Sequence, residues 1–509
     1  MLAALAVTIA IQPGADSWRA SYKFNEPVAT LAFARESTFS RRAWKIDHHG
    51  KRASVTFPVD TSYPEKDYQL FQPYSDGGIL LYTGYFNPDH VENPTFVLTP
   101  RRGEHLIVGG RVYRGRTTWT DRDGEGTFVY FGKVAPVETP NMIAVIDPGM
   151  PAWLTLRLRE DVPQLFADYA SLTGFTLKQR PTVFFSFKEA RDPSSTTWKG
   201  GTLAGLIQMH IEEAAGAPED RTLLDRFYKF LAHEAAHMWN GQLFSGPEHD
   251  QSWMHEGGAE AFAYRAMRRA KLLTDAELDR RQAADLNRCL AAIGAQALDA
   301  AEAGGDFRSV YTCGSALAWL TEAAVRKQDQ AADLHTLWRT MFNAAPSRKY
   351  DETLYLATLG QLADAQSVQF IDDFVHRPMP DRLDRTIAAF ASEGVHLEPR
   401  PDAMPAEEKE AWAQAAVVAL MSGDCDGHYS VSRESGALVI NGGARCATLK
   451  SKIVLESIEG KSVLREGHLA YDAMAARCSA GEPVTVGDLS VKCTTSLAPR
   501  PPWLAVKEK

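Results

Sequence analysis

The sequence predicts a multidomain α+β protein. Short β-type runs fill residues 16–150. Helical runs carrying one His-Glu-x-x-His block fill 151–398, and β-type runs return after the Pro-rich segment 399–405. At 509 residues the chain has room for three or four domains. It is 45% hydrophobic and 23% charged, an ordinary globular composition, and its net charge of −9 argues against a nucleic-acid partner. No run reaches the roughly 18 apolar residues that a transmembrane helix needs.

The chain opens on a short apolar stretch, Leu2 to Ile11, followed by Gln12-Pro13-Gly14-Ala15. Residues 1–15 read either as an export segment without the usual positive start or as a first β-strand. The runs Val28 to Ala34, Ala53 to Val59, Gly78 to Tyr85, Thr95 to Thr99, His105 to Val112 and Gly126 to Val134 follow. Gly, Pro, Asn and Asp punctuate them, as in a β domain over 16–150. His48 and His49 read as a solvated loop pair.

The next domain, 151–305, opens with a helix over Asp161 to Gly174 and a buried strand over Pro181 to Phe187. A further helix follows, with Asp220 or Thr222 as N-cap and an apolar stripe of Leu223, Leu224, Phe227, Phe230 and Leu231. It carries His233-Glu234-Ala235-Ala236-His237. Residues i and i+4 share a helical face, so His233 and His237 can point at one metal ion while Glu234 reaches a water beside it. A catalytic zinc usually takes a third protein ligand. Eighteen residues, 238–255, separate His237 from Glu256. Glu260 lies four residues after Glu256 on the same face. It reads as the carboxylate that orients a metal-bound histidine, or as a surface charge. His255 points about 100° away from Glu256 and does not share the metal easily. His249 lines the cleft or faces solvent.

Together, HEAAHMWNGQ (233–242) and WMHEGGA (253–259) resemble the membrane alanyl aminopeptidase family of gluzincin metallopeptidases, which includes aminopeptidase N and the leukotriene hydrolases. That signature reads HExxHxWxG[ND], then 18 residues to the Glu of a WLNEGFA-like block. Gln242, His255 and Gly258 depart from it, and none of them is a ligand. The related glycyl aminopeptidase family, which carries a C-terminal PDZ domain, shares the HExxHxWN pattern. The resemblance implies an N-terminal β domain, a thermolysin-like α/β domain at 151–305, one zinc per chain and a peptide or protein substrate.

The family's GAMEN block lies on a strand that holds the peptide backbone, and its Glu binds the free α-amine. The matching stretch is read as Gly205-Leu206-Ile207-Gln208-Met209. Gly205 and Gln208 are then substrate-binding positions, with Gln208 in place of the Glu. A neutral amide offers an ammonium no ion pair, and Glu212 or Glu213 would have to compensate. The family's Tyr-x-Lys-Gly block matches Tyr311, Cys313 and Gly314. Tyr311 is read as donor to the oxyanion, or as an ordinary core tyrosine.

Thr274 to Glu277 fits a capping box for a helix to about Glu302. A helical subdomain, 306–398, takes in Ala316 to Lys327, Asp333 to Asn343, Glu352 to Leu362, Val368 to His376 and Asp381 to Ser392. A helix over Ala406 to Met421 opens the last domain, 406–509. Strand–Gly turn–strand, a helix and a final strand there read as PDZ-like or as a small disulfide-stapled β module. A peptide or protein ligand of this domain is one expectation, although no carboxylate-binding loop is recognisable. Sequence proximity pairs Cys425 with Cys446, Cys478 with Cys493 and Cys289 with Cys313; the other reading is six buried thiols. Disulfides would go with export to the periplasm or outside the cell, free thiols with a cytoplasmic protein.

The expected function is zinc-dependent peptide hydrolysis, with Glu234 as general base. The alternatives are a zinc hydrolase of another electrophile, as among leukotriene hydrolases, and a zinc-holding scaffold. Glu234 and Tyr311 argue for hydrolysis, because a scaffold needs neither.

Overall fold

The computed structural model describes residues 5–507 apart from 36, 38–39, 62–67, 191–195, 215, 248–250, 426–428, 435–436, 444 and 494–496. His249 lies outside the described residues. The chain is α+β and forms two compact units, Met1–Leu278 with Leu317–Val368 and Asp279–Ala316 with Gln369–Lys509.

The first unit begins with eleven strands: β1 (Val7–Pro13), β2 (Trp18–Phe24), β3 (Lys45–His49), β4 (Arg52–Phe57), β5 (Phe71–Pro73), β6 (Ile79–Tyr82), β7 (Thr95–Leu98), β8 (His105–Val108), β9 (Arg111–Tyr113), β10 (Thr117–Thr120) and β11 (Phe128–Gly132). They form a six-stranded sheet, β10-β7-β1-β2-β4-β3, and a five-stranded one, β5-β6-β11-β8-β9. Period-2 alternation explains the burial. In β2, Trp18, Ala20, Tyr22 and Phe24 are buried while Arg19 and Lys23 are exposed.

Of the two readings of the apolar start, the strand is the one seen over Val7–Pro13: β1 pairs with β2 on one side and β7 on the other, and Ile9 and Ile11 are wholly buried. Removing residues 1–15 as an export segment would take out the middle of this sheet. His48 and His49 lie at the end of the edge strand β3, not in a loop, and His49 pairs with Asp47 at 2.9 Å.

A third sheet has the order β12-β13-β14-β16-β15, from β12 (Val137–Glu138), β13 (Ile143–Ile146), β14 (Thr182–Glu189), β15 (Thr197–Leu203) and β16 (Leu206–Glu213). The three inner strands run parallel and the two outer ones antiparallel to their neighbours. The boundary read at 150 thus falls inside this sheet, because residues 137–146 pair with β14.

α1 (Ala152–Thr173) follows β13. It starts nine residues before the expected Asp161 and runs through Pro163. Leu154, Leu158, Val162, Leu165, Phe166 and Tyr169 form a buried stripe along its whole length, which outweighs the one backbone bond that Pro163 removes. α2 (Arg221–His237) is capped by Asp220, whose carboxylate accepts from the N–H groups of Thr222 and Leu223. Phe227 packs on Phe185 of β14, and Phe227 and Phe230 pack on Trp198 of β15. α3 (Ser252–Arg269) follows.

The expected Thr274 capping box opens α4 (Asp275–Ile293): the Thr274 N–H donates to Glu277 at 2.8 Å. That helix stops at Gly294 (φ +52°), short of the expected Glu302, and α5 (Leu298–Ala303) is a separate turn. Then come α6 (Phe307–Gln328), which starts nine residues before the expected Ala316, and α7 (Leu334–Ala344), α8 (Glu352–Leu362), α9 (Ala365–His376) and α10 (Arg382–Ser392), close to the predicted spans.

In the second unit, α11 (Ala406–Asp424) and α12 (Gly467–Ser479) share one core with two small antiparallel sheets. The disulfides are Cys289–Cys313, Cys425–Cys446 and Cys478–Cys493, the pairs that sequence proximity indicates. All three lie in this unit.

Candidate metal centre

α2 and α3 bring three donors together. His233 Nε2 lies 3.0 Å from His237 Nε2 and 3.2 Å from Glu256 Oε2, and His237 Nε2 lies 3.3 Å from Glu256 Oε2. Three electron-pair donors facing one another at this range repel unless a cation lies among them. Ligands held roughly 2.0–2.1 Å from zinc in tetrahedral geometry sit about 3.3 Å from one another, so the donor set and its spacing fit zinc. His233 is buried, while His237 and Glu256 are half-buried.

The outer nitrogens of both imidazoles face side-chain oxygens. His233 Nδ1 faces Glu260 Oε1 at 3.4 Å, where the sequence places that carboxylate, and Lys229 holds Glu260 from the other side at 2.5 Å. Burial alone would raise the pKa of Glu260, but His233 and Lys229 outweigh it and hold the group at about 2. His237 Nδ1 donates to Asn240 Oδ1 at 3.0 Å, leaving Nε2 for a metal. The Asn240 amide donates to the His255 carbonyl at 2.9 Å, so the orientation of Asn240 is set as well.

Asn240 sits on a single π-turn, Met238–Leu243, directly after α2. Its carbonyl accepts from the buried hydroxyl of Tyr350 at 2.5 Å. His255 Nδ1 lies 3.1 Å from the same carbonyl, and its ring stacks on His237 at 4.3 Å. Asn240 and Tyr350 had no role in the sequence reading. The spacing of Asn240 from His237, one helical turn, was the available signal for the first; nothing local marks the second.

Glu234, half-buried, points at the edge of the third sheet, where the Thr202 hydroxyl donates to its carboxylate. Residues 198, 200 and 202 of β15 share the face towards α2. Trp198 meets Phe227 and Phe230, Gly200 meets Phe230, and Thr202 meets Glu234. A Cβ at Gly200 would lie 2.4 Å from the Phe230 ring, so only glycine lets the strand come this close. Among the described residues β15 pairs with no strand but β16, and at its outer edge the Tyr68 hydroxyl donates to the Thr202 carbonyl at 3.4 Å.

The two expected substrate-binding residues take other roles. Gln208 lies on the inner strand β16 and faces away from α2. It is buried and accepts from the Gln72 amide at 2.8 Å, in a network that continues through Ser186 to His210. Gly205 (φ +70°) makes the β15–β16 turn, and its N–H donates to Gln242 at 2.8 Å. Gln242 also donates to the Leu203 carbonyl at 3.2 Å, clamping that turn to the end of the metal helix. A strand that holds a peptide backbone must have a free edge. In this sheet the edge beside α2 belongs to β15, which holds residues 200–203, and not to β16. Glu212 pairs with Thr197 at the opposite end of the hairpin, with Glu213 beyond it. Tyr311 lies in the second turn of α6, in the second unit, and is 37% exposed.

No family model matches the chain, and no curated protein matches it. Solved structures do. An aminopeptidase N family protein from Idiomarina loihiensis is similar over 99% of this chain and 98% of its own, with a TM-score of 0.60 and 11% identity. An M1 zinc metallopeptidase from Deinococcus radiodurans covers 74% of this chain and 92% of its own, with a TM-score of 0.41 and 14% identity. Leukotriene A4 hydrolase from Saccharomyces cerevisiae covers 81% and 72%, with a TM-score of 0.42 and 10% identity. The first of these likenesses is one of fold over nearly the whole chain.

Proposed function

We propose that the protein is a zinc-dependent metallopeptidase that hydrolyses peptide bonds. The observation that carries this reading is one juxtaposition: three metal donors, a second carboxylate that is not one of them, and beside that carboxylate a strand edge with which no other described strand pairs. His233, His237 and Glu256 would hold one zinc, which supplies Lewis acidity towards a carbonyl and a water when bound. Glu234 takes the proton of the attacking water and delivers it to the leaving amine. Thr202 holds that carboxylate in place. A peptide adds to the outer edge of β15 as an extra strand, so backbone pairing sets its register. Tyr311 is the proposed donor to the oxyanion. Among the described residues the strand edge offers no carboxylate for a free α-amine, so the substrates of this reading include blocked and internal peptides. Three disulfides favour an exported protein in an oxidising compartment.

The test combines metal analysis with two substitutions. Protein purified without chelators should carry close to one zinc per chain. Glu234→Gln should keep that zinc and lose hydrolysis. His233→Ala should lose the metal, and full zinc content in that variant would sink the assignment.

A further inference from the structure

This inference rests on the peptidase reading and concerns which peptides the site takes. The 204–206 turn, two residues beyond Thr202 and clamped by Gln242, forms one wall of a cavity of about 710 Å³. Arg111 of β9, Trp119 of β10, and Arg122 and Asp123 just after β10, with Lys178 and Arg180, form other parts of its wall. Four cations thus face one carboxylate. Arg180 is paired with Glu138 at 3.2 Å, whereas Arg111, Arg122 and Lys178 make no ion pair among the described residues. In a chain of net charge −9, three unpaired cations around one cavity mark a place that receives negative charge.

Strand geometry says which part of a peptide arrives there. Antiparallel pairing is the more stable way for a strand to add to an edge. A peptide antiparallel to β15 runs from the turn towards Thr197. Its residues on the N-terminal side of a bond placed at Glu234 therefore lie over the turn. At about 3.3 Å per residue, the second to fourth residues before that bond reach the cavity. Leu203 puts no charge in their way.

We propose that this cavity binds acidic side chains on the N-terminal side of the scissile bond, so that the enzyme cuts within chains, after acidic segments.

The test uses acetylated peptides that differ only in Asp-Glu against Asn-Gln at the second and third residues before the cleaved bond. The acidic member should have about tenfold higher kcat/KM at low salt, with the ratio shrinking towards one at about 0.5 M salt. Arg111→Glu combined with Arg122→Glu should abolish or invert the ratio. Calorimetric binding of the same two peptides to zinc-loaded Glu234→Gln protein gives a readout without turnover, and the same preference is expected there. Equal affinity for the two peptides in that protein, unaltered by the charge reversals, would overturn the inference. So would a preference that appears only when the acids follow the bond. If zinc-loaded wild type cuts no peptide, the peptidase reading fails, while the binding measurement still decides whether the cavity selects acids.

Discussion

At the residue scale, Asn240 makes the clearest prediction. Its side-chain oxygen fixes the His237 tautomer, its amide fixes its own orientation, and its carbonyl collects Tyr350 and His255. Losing the side chain frees the ring of one ligand to rotate. Asn240→Ala should therefore weaken zinc by roughly 10–100-fold, measured by competition with a chromophoric chelator. Asn240→Asp keeps the acceptor and should keep most of the affinity. If the alanine variant binds zinc as tightly as wild type, the orientation of His237 comes from packing alone. That His233 and His237 face one point was legible in the sequence, because the helical period fixes where residues i and i+4 point whatever surrounds them; Glu256, on the next helix, was legible only through the resemblance of its block and its spacing. Tyr350 was not. It lies 110 residues from Asn240, and no local pattern records a contact of that range.

At the scale of elements, β15 is the strand whose position matters most, and the sequence misled there. Both β15 and β16 lie in the stretch 197–213, and which one stands at the sheet edge is settled by partners far away in the chain. β16 pairs with β14 from residues 182–189, which makes it interior and leaves β15 outside. A signal was present: β15 is mostly not buried and holds two adjacent glycines, whereas β16 is predominantly buried. Gly200 is where the packing can be tested. Gly200→Ala presses a methyl group into Phe230 and should cost about 1–3 kcal/mol of stability, read from a denaturant titration. By moving Thr202 off Glu234, it should also lower kcat while zinc content stays constant. A Gly200→Ala enzyme with wild-type turnover would mean that the strand edge is positioned by something else, with Gln242 the next contact to break.

At the scale of the whole molecule, the two kinds of stabilisation are segregated. The metal donors and the aromatic cores around them lie in Met1–Leu278 with Leu317–Val368, and all six cysteines lie in Asp279–Ala316 with Gln369–Lys509. Sequence proximity sufficed to pair the cysteines, because each pair closes a loop of 24, 21 or 15 residues within neighbouring elements. The domain boundaries were harder. α4 and α6 each run from one unit into the other without a break, so no linker composition marks the crossing.

Closing a loop of this size is worth about 3 kcal/mol in the chain-entropy account. Removing Cys425–Cys446 with paired serine substitutions should raise hydrogen exchange through residues 406–509 and leave zinc content untouched. The Cys289–Cys313 pair should behave differently. It ties α4 to the start of α6 two residues from Tyr311, and both sulfurs are wholly buried. If Tyr311 meets the oxyanion, freeing that helix start should lower kcat with little change in KM or zinc. Tyr311→Phe should lower kcat by about 10²-fold or more, and adding the cysteine substitutions to it should then cost little further. If the serine pair slows the Tyr311→Phe enzyme as much as it slows wild type, the disulfide acts on something other than Tyr311. If Tyr311→Phe turns over normally, another donor serves the oxyanion.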